Sequence, residues 1–290
     1  MTTPTSVEAL APGDHACLTF TDGEERLDIV AAFVRDGLGV GYKVVCITDS
    51  VGPDRLLREF TERGVALDEA LRRGQIALHT SDESWLANGA LTASKMVDVL
   101  ADQIDLADRE GFPGLRITAD MCWATRPIAA VEQLVVFESE VGRLFSDGRL
   151  TAICQYDRQS FDAVTLAFAA KAHSRAVAAT VYHEDPILRV CRQHTPPGLR
   201  LAGEIDYTNL DPLNQALGEA LRIDTSIHVN LAQLRFIDAA AAGAILQAAL
   251  AMRAGGQMIV VCRRAVHKVL ELVGLTDVAH IRVVMVHGEP

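Results

Sequence analysis

Short apolar runs alternate with amphipathic segments along most of the chain. Lys43–Thr48 is typical of the apolar runs, because it is rich in the β-branched residues that buried strands favour. Residues 92–110 are typical of the amphipathic segments, since their apolar side chains recur at the three- and four-residue spacing of one helix face. Alternation of these two patterns predicts an α/β fold with largely parallel sheets.

The two patterns also predict where individual elements lie. In the first part of the chain we expect strands at residues 16–20, 43–48, 75–79, 115–118 and 150–156, and helices at 24–38, 54–63, 92–110, 131–145 and 161–173. A further strand at 178–182 is expected to close the first sheet. In the last part we expect strands at 199–202, 226–230, 258–262 and 281–286, and helices at 212–221, 239–254 and 266–273.

One segment interrupts both patterns. Residues 193–198 read Gln-His-Thr-Pro-Pro-Gly, and two prolines with a glycine are typical of a linker or a turn. We therefore predict two domains in the 290 residues, 1–192 and 193–290, each long enough to bury a core of its own.

Charge and cysteine content narrow the class of protein. The net charge is −11, so the chain lacks the basic field that attracts nucleic acid or an anionic membrane surface. The six cysteines are scattered without CxxC pairs, which indicates reduced thiols and a cytoplasmic protein. Residues 1–12 lack the pattern of a signal peptide, and the apolar stretch 239–252 is too short to cross a bilayer.

The last hundred or so residues carry a series of motifs in a characteristic order. They are Gly203-Glu204-Ile205-Asp206, His228-Val229-Asn230-Leu231, Leu234-Arg235-Phe236-Ile237-Asp238, Gly255-Gly256 with the strand that follows, and Leu270-Glu271-Leu272-Val273-Gly274-Leu275. Together they resemble a STAS domain of the anti-sigma-factor-antagonist type over nearly all of residues 197–290. The resemblance implies a small mixed sheet with helices on one side.

The resemblance also implies a partner-binding site at the loop after Asp238. Antagonist members carry a serine directly after this aspartate, and a partner anti-sigma kinase phosphorylates it. Here Ala239 and Ala240 follow Asp238, and neither has a hydroxyl group, so phosphorylation at the usual position is chemically impossible. We predict that Asp206, Asp238, Ala239 and Ala240 bind an anti-sigma factor or a related kinase-like protein. The simpler alternative is that Asp238 only caps the following helix.

The missing hydroxyl leaves three possibilities open. The module binds its partner permanently while control lies in the first domain, or it has lost partner binding and serves as a scaffold, or it is regulated at another site. We favour the first.

The first domain carries a second set of motifs. They are Gly13-Asp14-His15-Ala16-Cys17-Leu18, the glycine-rich turn and strand at 37–45, the strand and loop at 114–123, and Cys154-Gln155-Tyr156-Asp157. Their order resembles the MEDS domain, a bacterial and archaeal sensory module, over roughly residues 8–185. The family often carries glutamate where Ala119-Asp120 stands here. The order of elements also resembles RecA/KaiC-like ATPases, so we expect a largely parallel sheet with helices on both faces.

The phosphate-binding loop of such ATPases has no counterpart in this sequence. The corresponding residues, 21–25, hold one glycine, no lysine and three carboxylates, which would repel a triphosphate. The Gly39-x-Gly41-x-Lys43 run precedes a strand rather than a helix, and no hydrolase motif is recognisable. We therefore predict that the protein is not an enzyme and needs no cofactor.

A ligand pocket is nevertheless expected at the carboxyl ends of the strands, where open parallel sheets usually bind small molecules. His15 and Cys17 lie two residues apart and face the same side of a strand, and with Cys154 they would offer soft metal ligands. A buried cysteine and a hydrogen-bonded histidine are the simpler interpretation, so we predict no metal. The residues predicted to contact a small molecule are His15, Cys17, Phe20, Asp120, Trp123, Cys154 and Tyr156.

These observations favour a cytoplasmic signalling regulator in which a MEDS-like sensory domain controls a STAS partner-binding module that cannot be phosphorylated. A scaffold that forms homo-oligomers is one alternative, and a degenerate nucleotide-binding enzyme is another. Measuring molecular mass with and without the partner distinguishes the scaffold from the regulator. Nucleotide titration distinguishes the enzyme from the regulator.

Overall fold

The computed structural model describes residues 4–86, 92–126 and 131–286. Within these ranges the chain divides into two compact units, and the division falls between Ala178 and Ala179. None of the helices in the described ranges is both long enough and apolar enough to span a bilayer.

The sheet of the first unit consists of six parallel strands. In chain order they are β1 (His15–Phe20), β2 (Lys43–Thr48), β3 (Ile76–Thr80), β4 (Leu115–Asp120), β5 (Leu150–Asp157) and β6 (Arg175–Val177). In space they lie in the order β3-β2-β4-β5-β1-β6. The carboxyl ends of the four central strands therefore meet at one edge of the sheet.

Helices cover both faces of this sheet, as predicted. They are α1 (Gly23–Gly39), α2 (Pro53–Glu62), α3 (Asp68–Arg72), α4 (Ser81–Ser84), α5 (Ala93–Arg109), α6 (Val131–Glu140) and α7 (Ala163–Ala172). On one face Arg116 of β4 stacks on Phe33 of α1, with the guanidinium carbon 4.9 Å from the ring centroid. On the other face Ile117, the next residue of β4, joins the core formed with α5 and α6. Alternate side chains of one strand thus serve opposite layers.

The second unit is a mixed six-stranded sheet with helices on one side. Its strands are β7 (Val181–Glu184), β8 (Leu188–His194), β9 (Pro197–Ile205), β10 (Ile227–Ile237), β11 (Met258–Cys262) and β12 (Ile281–Met285). Pairing is parallel from β9 to β12 and antiparallel from β7 to β9. The helices α8 (Leu210–Ile223), α9 (Ala239–Leu250) and α10 (Arg264–Leu272) pack on the face that presents Val229 and Val260.

The division between the units differs from the predicted one at 192/193. Residues 194–197 form the tight turn of the β8–β9 hairpin, in which His194 pairs with Pro197. The prolines and the glycine therefore mark a turn inside the second unit rather than a linker. The strand expected at 178–182 is also assigned differently, because β7 joins the second sheet while β6 closes the first.

Two element ends also differ from the prediction. The helix predicted over 239–254 ends at Leu250, because the chain must turn before Gly256. Gly256 lies so close to the Thr225 carbonyl that an added Cβ would be 2.5 Å from its oxygen. The strand predicted over 226–230 continues to Ile237 as β10, with two register shifts against β9. Both ends are set by pairing with neighbours distant in the chain, which local periodicity does not report.

Candidate functional site

Asp238 lies at the point where β10 ends and α9 begins, and its side chain joins two loops. One carboxylate oxygen, Oδ1, accepts a hydrogen bond from the backbone N–H of Ala241 at 2.8 Å, so Asp238 caps α9. The other, Oδ2, accepts from the N–H of Tyr207 at 2.9 Å, in the loop after β9. The predicted cap is therefore confirmed, and the same carboxylate also holds the neighbouring loop in place.

Asp206 organises the loop that Asp238 contacts. Its carboxylate accepts hydrogen bonds from the hydroxyl and the backbone N–H of Thr208, and these bonds lower its pKa. The turn they stabilise is the short 3₁₀ helix Tyr207–Asn209. Asp206 thus shapes the loop, while its side chain remains half-buried.

The surface around these aspartates is apolar and accessible. Ala239 and Ala240 are exposed in the first turn of α9, while Phe236 is 51% and Tyr207 69% exposed beside them. We call these four residues the α9 edge. The sequence prediction included the two alanines and missed the two aromatic residues. Alternation along β10 does not identify Phe236, because the register shift between Leu234 and Phe236 leaves it on the exposed side.

The carboxyl ends of the strands in the first unit are filled by a buried ion pair. Arg26 of α1 donates from Nη2 to Asp120 Oδ2 at 2.7 Å, and both side chains are almost fully buried. Arg26 also donates to Ser50 Oγ at 2.7 Å and to Gln155 Oε1 at 2.6 Å. The ring of Phe20 lies 4.6 Å from its guanidinium carbon.

This network holds Asp120 in its ionised form. Burial opposes the charge, but Arg26 and hydrogen bonds from Ser50 and the Cys122 N–H outweigh it and lower the pKa of Asp120 to about 2. The space left beside the pair is about 10 Å³, room for roughly one water molecule. The Arg26 side chain thus occupies the crevice where Phe20 and Asp120 are predicted to contact a small molecule, and ligand binding there stays a prediction.

The start of α1 is also occupied by a side chain. The Asp22 carboxylate accepts hydrogen bonds from the N–H groups of Glu24 and Glu25, at 2.9 and 3.1 Å. A helix N-terminus after the first strand is where a phosphate would bind in a phosphate loop. Here an aspartate from the chain itself takes those amides.

Three of the remaining predicted residues, His15, Cys154 and Tyr156, come together on the opposite face of the sheet. His15 Nε2 lies 3.4 Å from Cys154 Sγ, which belongs to the neighbouring strand β5. Two residues that the sequence prediction missed complete the group. Glu138 of α6 lies 3.7 Å from His15 Nε2, and His173, directly after α7, lies 3.6 Å from the same Glu138 oxygen.

This group, which we call the His15 cluster (His15, Glu138, Cys154 and His173), is buried throughout. Burial, reinforced by His173, holds the pKa of His15 well below its usual range. Burial also raises the pKa of Glu138, although His173 and a hydrogen bond from Tyr156 oppose the rise. Burial and Glu138 hold the pKa of the Cys154 thiol well above its usual range.

Cys17 and Trp123 lie outside the cluster. Cys17 pairs with Cys154 in the sheet, and burial together with Glu138 raises the pKa of its thiol to about 12. The Trp123 side chain is fully buried in the core between the sheet and α6. Both therefore pack in the core around the cluster.

Comparison with known families assigns both units. The model of the MEDS family, described as the methanogen/methylotroph, DcmR sensory domain, matches residues 14–174. The model of the STAS domain matches residues 191–285. These matches confirm the two resemblances drawn from the motifs. No curated protein matches the chain.

Several solved structures overlap part of the chain. The flagellar accessory protein FlaH from Methanocaldococcus jannaschii is 8% identical, with a TM-score of 0.44 over 64% of this chain and 80% of FlaH. The KaiC-like protein PH0186 from Pyrococcus horikoshii OT3 is 12% identical, with a TM-score of 0.47 over 66% of this chain and 79% of its own. An anti-sigma factor antagonist from Mycobacterium paratuberculosis is 18% identical, with a TM-score of 0.29 over 36% of this chain and 84% of its own.

Proposed function

The chain belongs to the MEDS family and carries a STAS domain, and we propose that it is a cytoplasmic signalling regulator whose STAS domain binds an anti-sigma factor or a related kinase-like protein. In this proposal the MEDS domain senses a small molecule or a cellular state and controls the availability of the STAS domain. The protein itself catalyses no reaction.

The observation that carries the proposal is the construction of the α9 edge. Asp238 ties the start of α9 to the loop after β9, so the backbone of this surface is held in one arrangement before a partner arrives. Phe236 and Tyr207 offer exposed aromatic area, which is enriched at protein–protein interfaces. A surface whose backbone is already ordered loses less conformational entropy when a partner binds.

The same surface supports binding that phosphorylation does not switch. A phosphate adds nearly two negative charges at neutral pH, and it needs a hydroxyl to which it can be attached. Ala239 and Ala240 provide none, and they keep the small, uncharged surface of an unphosphorylated antagonist. Control therefore belongs to the MEDS domain in this proposal.

Affinity capture from the native cell tests the proposal. The full chain and residues 179–290 are each used as bait, with lysates that contain ATP and with lysates depleted of ATP. We expect the fragment to retain one regulatory protein equally in both lysates, and the full chain to retain it to an extent that depends on growth conditions. Capture by the fragment only in the ATP-depleted lysate would contradict binding without a phosphorylation switch.

The enzyme alternative is tested by nucleotide binding. Asp22 already accepts the hydrogen bonds of the first α1 amides, and Glu24 and Glu25 add negative charge at the same place. We expect calorimetry to detect no binding of ATP or GTP at physiological concentrations. Micromolar affinity for either nucleotide would favour the enzyme. The scaffold alternative instead predicts a large assembly, whose mass is measured by light scattering with and without the partner.

A further inference from the structure

We propose that the His15 cluster is a metal site, at which one Zn²⁺-class transition-metal ion is bound by His15 Nε2, Glu138 Oε2, Cys154 Sγ and His173 Nε2. The four donor atoms all lie within 4.8 Å of one another. They come from β1, α6, β5 and the residue that follows α7, so one ion would join four parts of the first unit. The site is independent of the proposed partner binding, and either proposal stands if the other fails.

Three of the six distances between donors match a tetrahedral ion. Zinc bonds to nitrogen and oxygen are about 2.0–2.2 Å and to sulfur about 2.3 Å, which places pairs of tetrahedral ligands about 3.3–3.6 Å apart. The measured separations are 3.4 Å for His15 Nε2 to Cys154 Sγ, 3.7 Å for His15 Nε2 to Glu138 Oε2, and 3.6 Å for His173 Nε2 to Glu138 Oε2. These three separations lie close to the tetrahedral values, and the other donor separations are no larger than 4.8 Å.

Two of the donors lack a hydrogen-bond partner. Glu138 Oε2 and His173 Nε2 are buried, and neither makes a hydrogen bond to any residue that the structure describes. A buried polar atom left unsatisfied costs about 1–3 kcal/mol, and more when the group is charged. The two atoms lie 3.6 Å apart, which is the spacing expected of ligands to a shared cation.

The remaining polar atoms of these side chains are held from outside the cluster. His173 Nδ1 lies 2.7 Å from the carbonyl oxygen of Ala169, so Nδ1 carries the proton and Nε2 presents its lone pair to the cluster. Tyr156 donates from its hydroxyl to Glu138 Oε1 at 2.5 Å, which leaves Oε2 directed inward. The His15 ring stacks on Phe145 with centroids 4.4 Å apart. Supporting contacts of this kind orient the ligands of protein metal sites.

The donor set selects the class of metal. Two imidazoles, one carboxylate and one thiolate suit Zn²⁺, Co²⁺ and related transition metals, whereas Ca²⁺ and Mg²⁺ require oxygen ligands. Four protein donors in a buried place leave no open position for a substrate, which is typical of structural rather than catalytic zinc. Without a metal, Glu138 Oε2 and His173 Nε2 would stay buried with no hydrogen bond to any residue that the structure describes. Metal analysis distinguishes these two states.

The test uses the full chain. Elemental analysis of the purified protein is expected to find about one zinc ion per chain, and the metal-free protein is expected to bind Co²⁺ with a thiolate-to-cobalt charge-transfer band. Cys154→Ser should abolish that band, and His173→Gln should lower the metal content. The matched control is Cys46→Ser, which changes an equally buried thiol on the opposite face of the sheet and should retain both signals.

Three outcomes would overturn the proposal. The first is a folded wild-type chain that contains no transition metal and binds neither Zn²⁺ nor Co²⁺. The second is loss of the charge-transfer band in Cys17→Ser but not in Cys154→Ser, which would show that Cys17 and not Cys154 supplies the thiolate ligand. The third is equal thermal stability of the metal-loaded and metal-free wild-type chain, because an ion that joins four elements must stabilise the folded state. Circular dichroism shows whether each variant is folded.

Discussion

Aspartate side chains at strand ends have different structural roles in the two units. Asp238 is half-buried, and its carboxylate accepts from two backbone N–H groups, so it shapes a surface. Asp120 is fully buried and bonds to the cation of Arg26, so it closes a crevice. The same residue type at the same place in a strand–helix connection is thus either an interface support or a core ion pair. The neighbouring helix decides which.

Adding charge at Ala239 tests the α9 edge directly. In Ala239→Glu an unpaired carboxylate would have to be desolvated in the contact, so we expect partner affinity to fall by about tenfold or more. Gln247→Glu is the matched control, because it adds the same charge to an exposed position of α9 two turns further on. Binding is measured by surface plasmon resonance with the captured partner.

Equal affinity of Ala239→Glu and the wild type would place the partner elsewhere. A carboxylate near a helix N-terminus also stabilises the helix by a few tenths of a kcal/mol or more. The melting temperature of each variant must therefore accompany its affinity, so that a change in folding is not mistaken for a change in binding.

The Asp120–Arg26 pair makes a prediction about stability and pH. The pKa of Asp120 is about 2 in the folded chain, whereas its ordinary value is 3.8. Between these two pH values the folded state therefore binds fewer protons than the unfolded state. The stabilisation, worth about 2 kcal/mol, is complete above pH 4–5 and is lost as the pH falls through about 2. In Asp120→Asn the buried Arg26 loses its charged partner, which should cost about 3–5 kcal/mol at neutral pH.

Urea unfolding of the wild type and Asp120→Asn between pH 2 and 7 checks this prediction. We expect the difference in unfolding free energy to stay constant down to about pH 5 and then to narrow. Asp98→Asn, which changes an exposed carboxylate on α5, should show no comparable difference at neutral pH. A gap between wild type and Asp120→Asn that is the same at pH 2 and pH 7 would contradict the ionised pair.

Among the elements, β9 contains a glycine that its packing requires. Gly203 has a φ of +105°, and a Cβ there would lie 1.9 Å from the carbonyl oxygen of Ile187. The close approach lets the next N–H, of Glu204, donate to that same carbonyl at 3.1 Å. The glycine of the Gly-x-Ile-Asp motif is therefore required by the packing of β9 against the chain before β8.

Gly203→Ala should destabilise the second unit by more than about 2 kcal/mol, because it adds backbone strain and a collision with main-chain atoms. Gly218→Ala is the control, since Gly218 lies inside α8 with open space around it and alanine should stabilise the helix by about 0.5–1 kcal/mol. Chemical unfolding midpoints measure both effects. A midpoint for Gly203→Ala at or above that of the wild type would show that the approach to Ile187 is not needed.

At the scale of the whole molecule, the position of the division predicts which fragments fold. Residues 179–290 keep the complete second sheet, whereas residues 197–290 lose β7 and β8. Loss of β8 removes Leu188 and Val190 from the core and leaves β9 as an exposed edge strand, paired only with β10. We expect the longer fragment to unfold cooperatively and the shorter one to be unfolded or aggregated.

Circular dichroism and urea titration of the two fragments distinguish these outcomes. Equal stability of residues 179–290 and 197–290 would support the division after 192 that the sequence first predicted. The match to the STAS family begins at residue 191, inside β8, so the family boundary alone does not separate the two divisions.

The sequence by itself determined the α/β class, most strands and helices, and the helix cap at Asp238. These features depend on local chemistry: a run of β-branched residues or a carboxylate before a helix acts on neighbours a few positions away. The two families were likewise readable from ordered motifs. The absence of a hydroxyl at Ala239 and Ala240 follows directly from the identity of these two residues.

Only the tertiary structure decided how distant side chains meet. His15 and Cys154 were singled out from the sequence, but Glu138 and His173 join them because parallel crossovers bring α6 and the end of α7 over β1 and β5. Arg26 reaches Asp120, 94 residues away, for the same reason. The Pro-Pro-Gly segment reads locally like a linker, and only the pairing of β8 with β9 makes it a hairpin turn. Local periodicity carries no information about which elements become neighbours across a crossover.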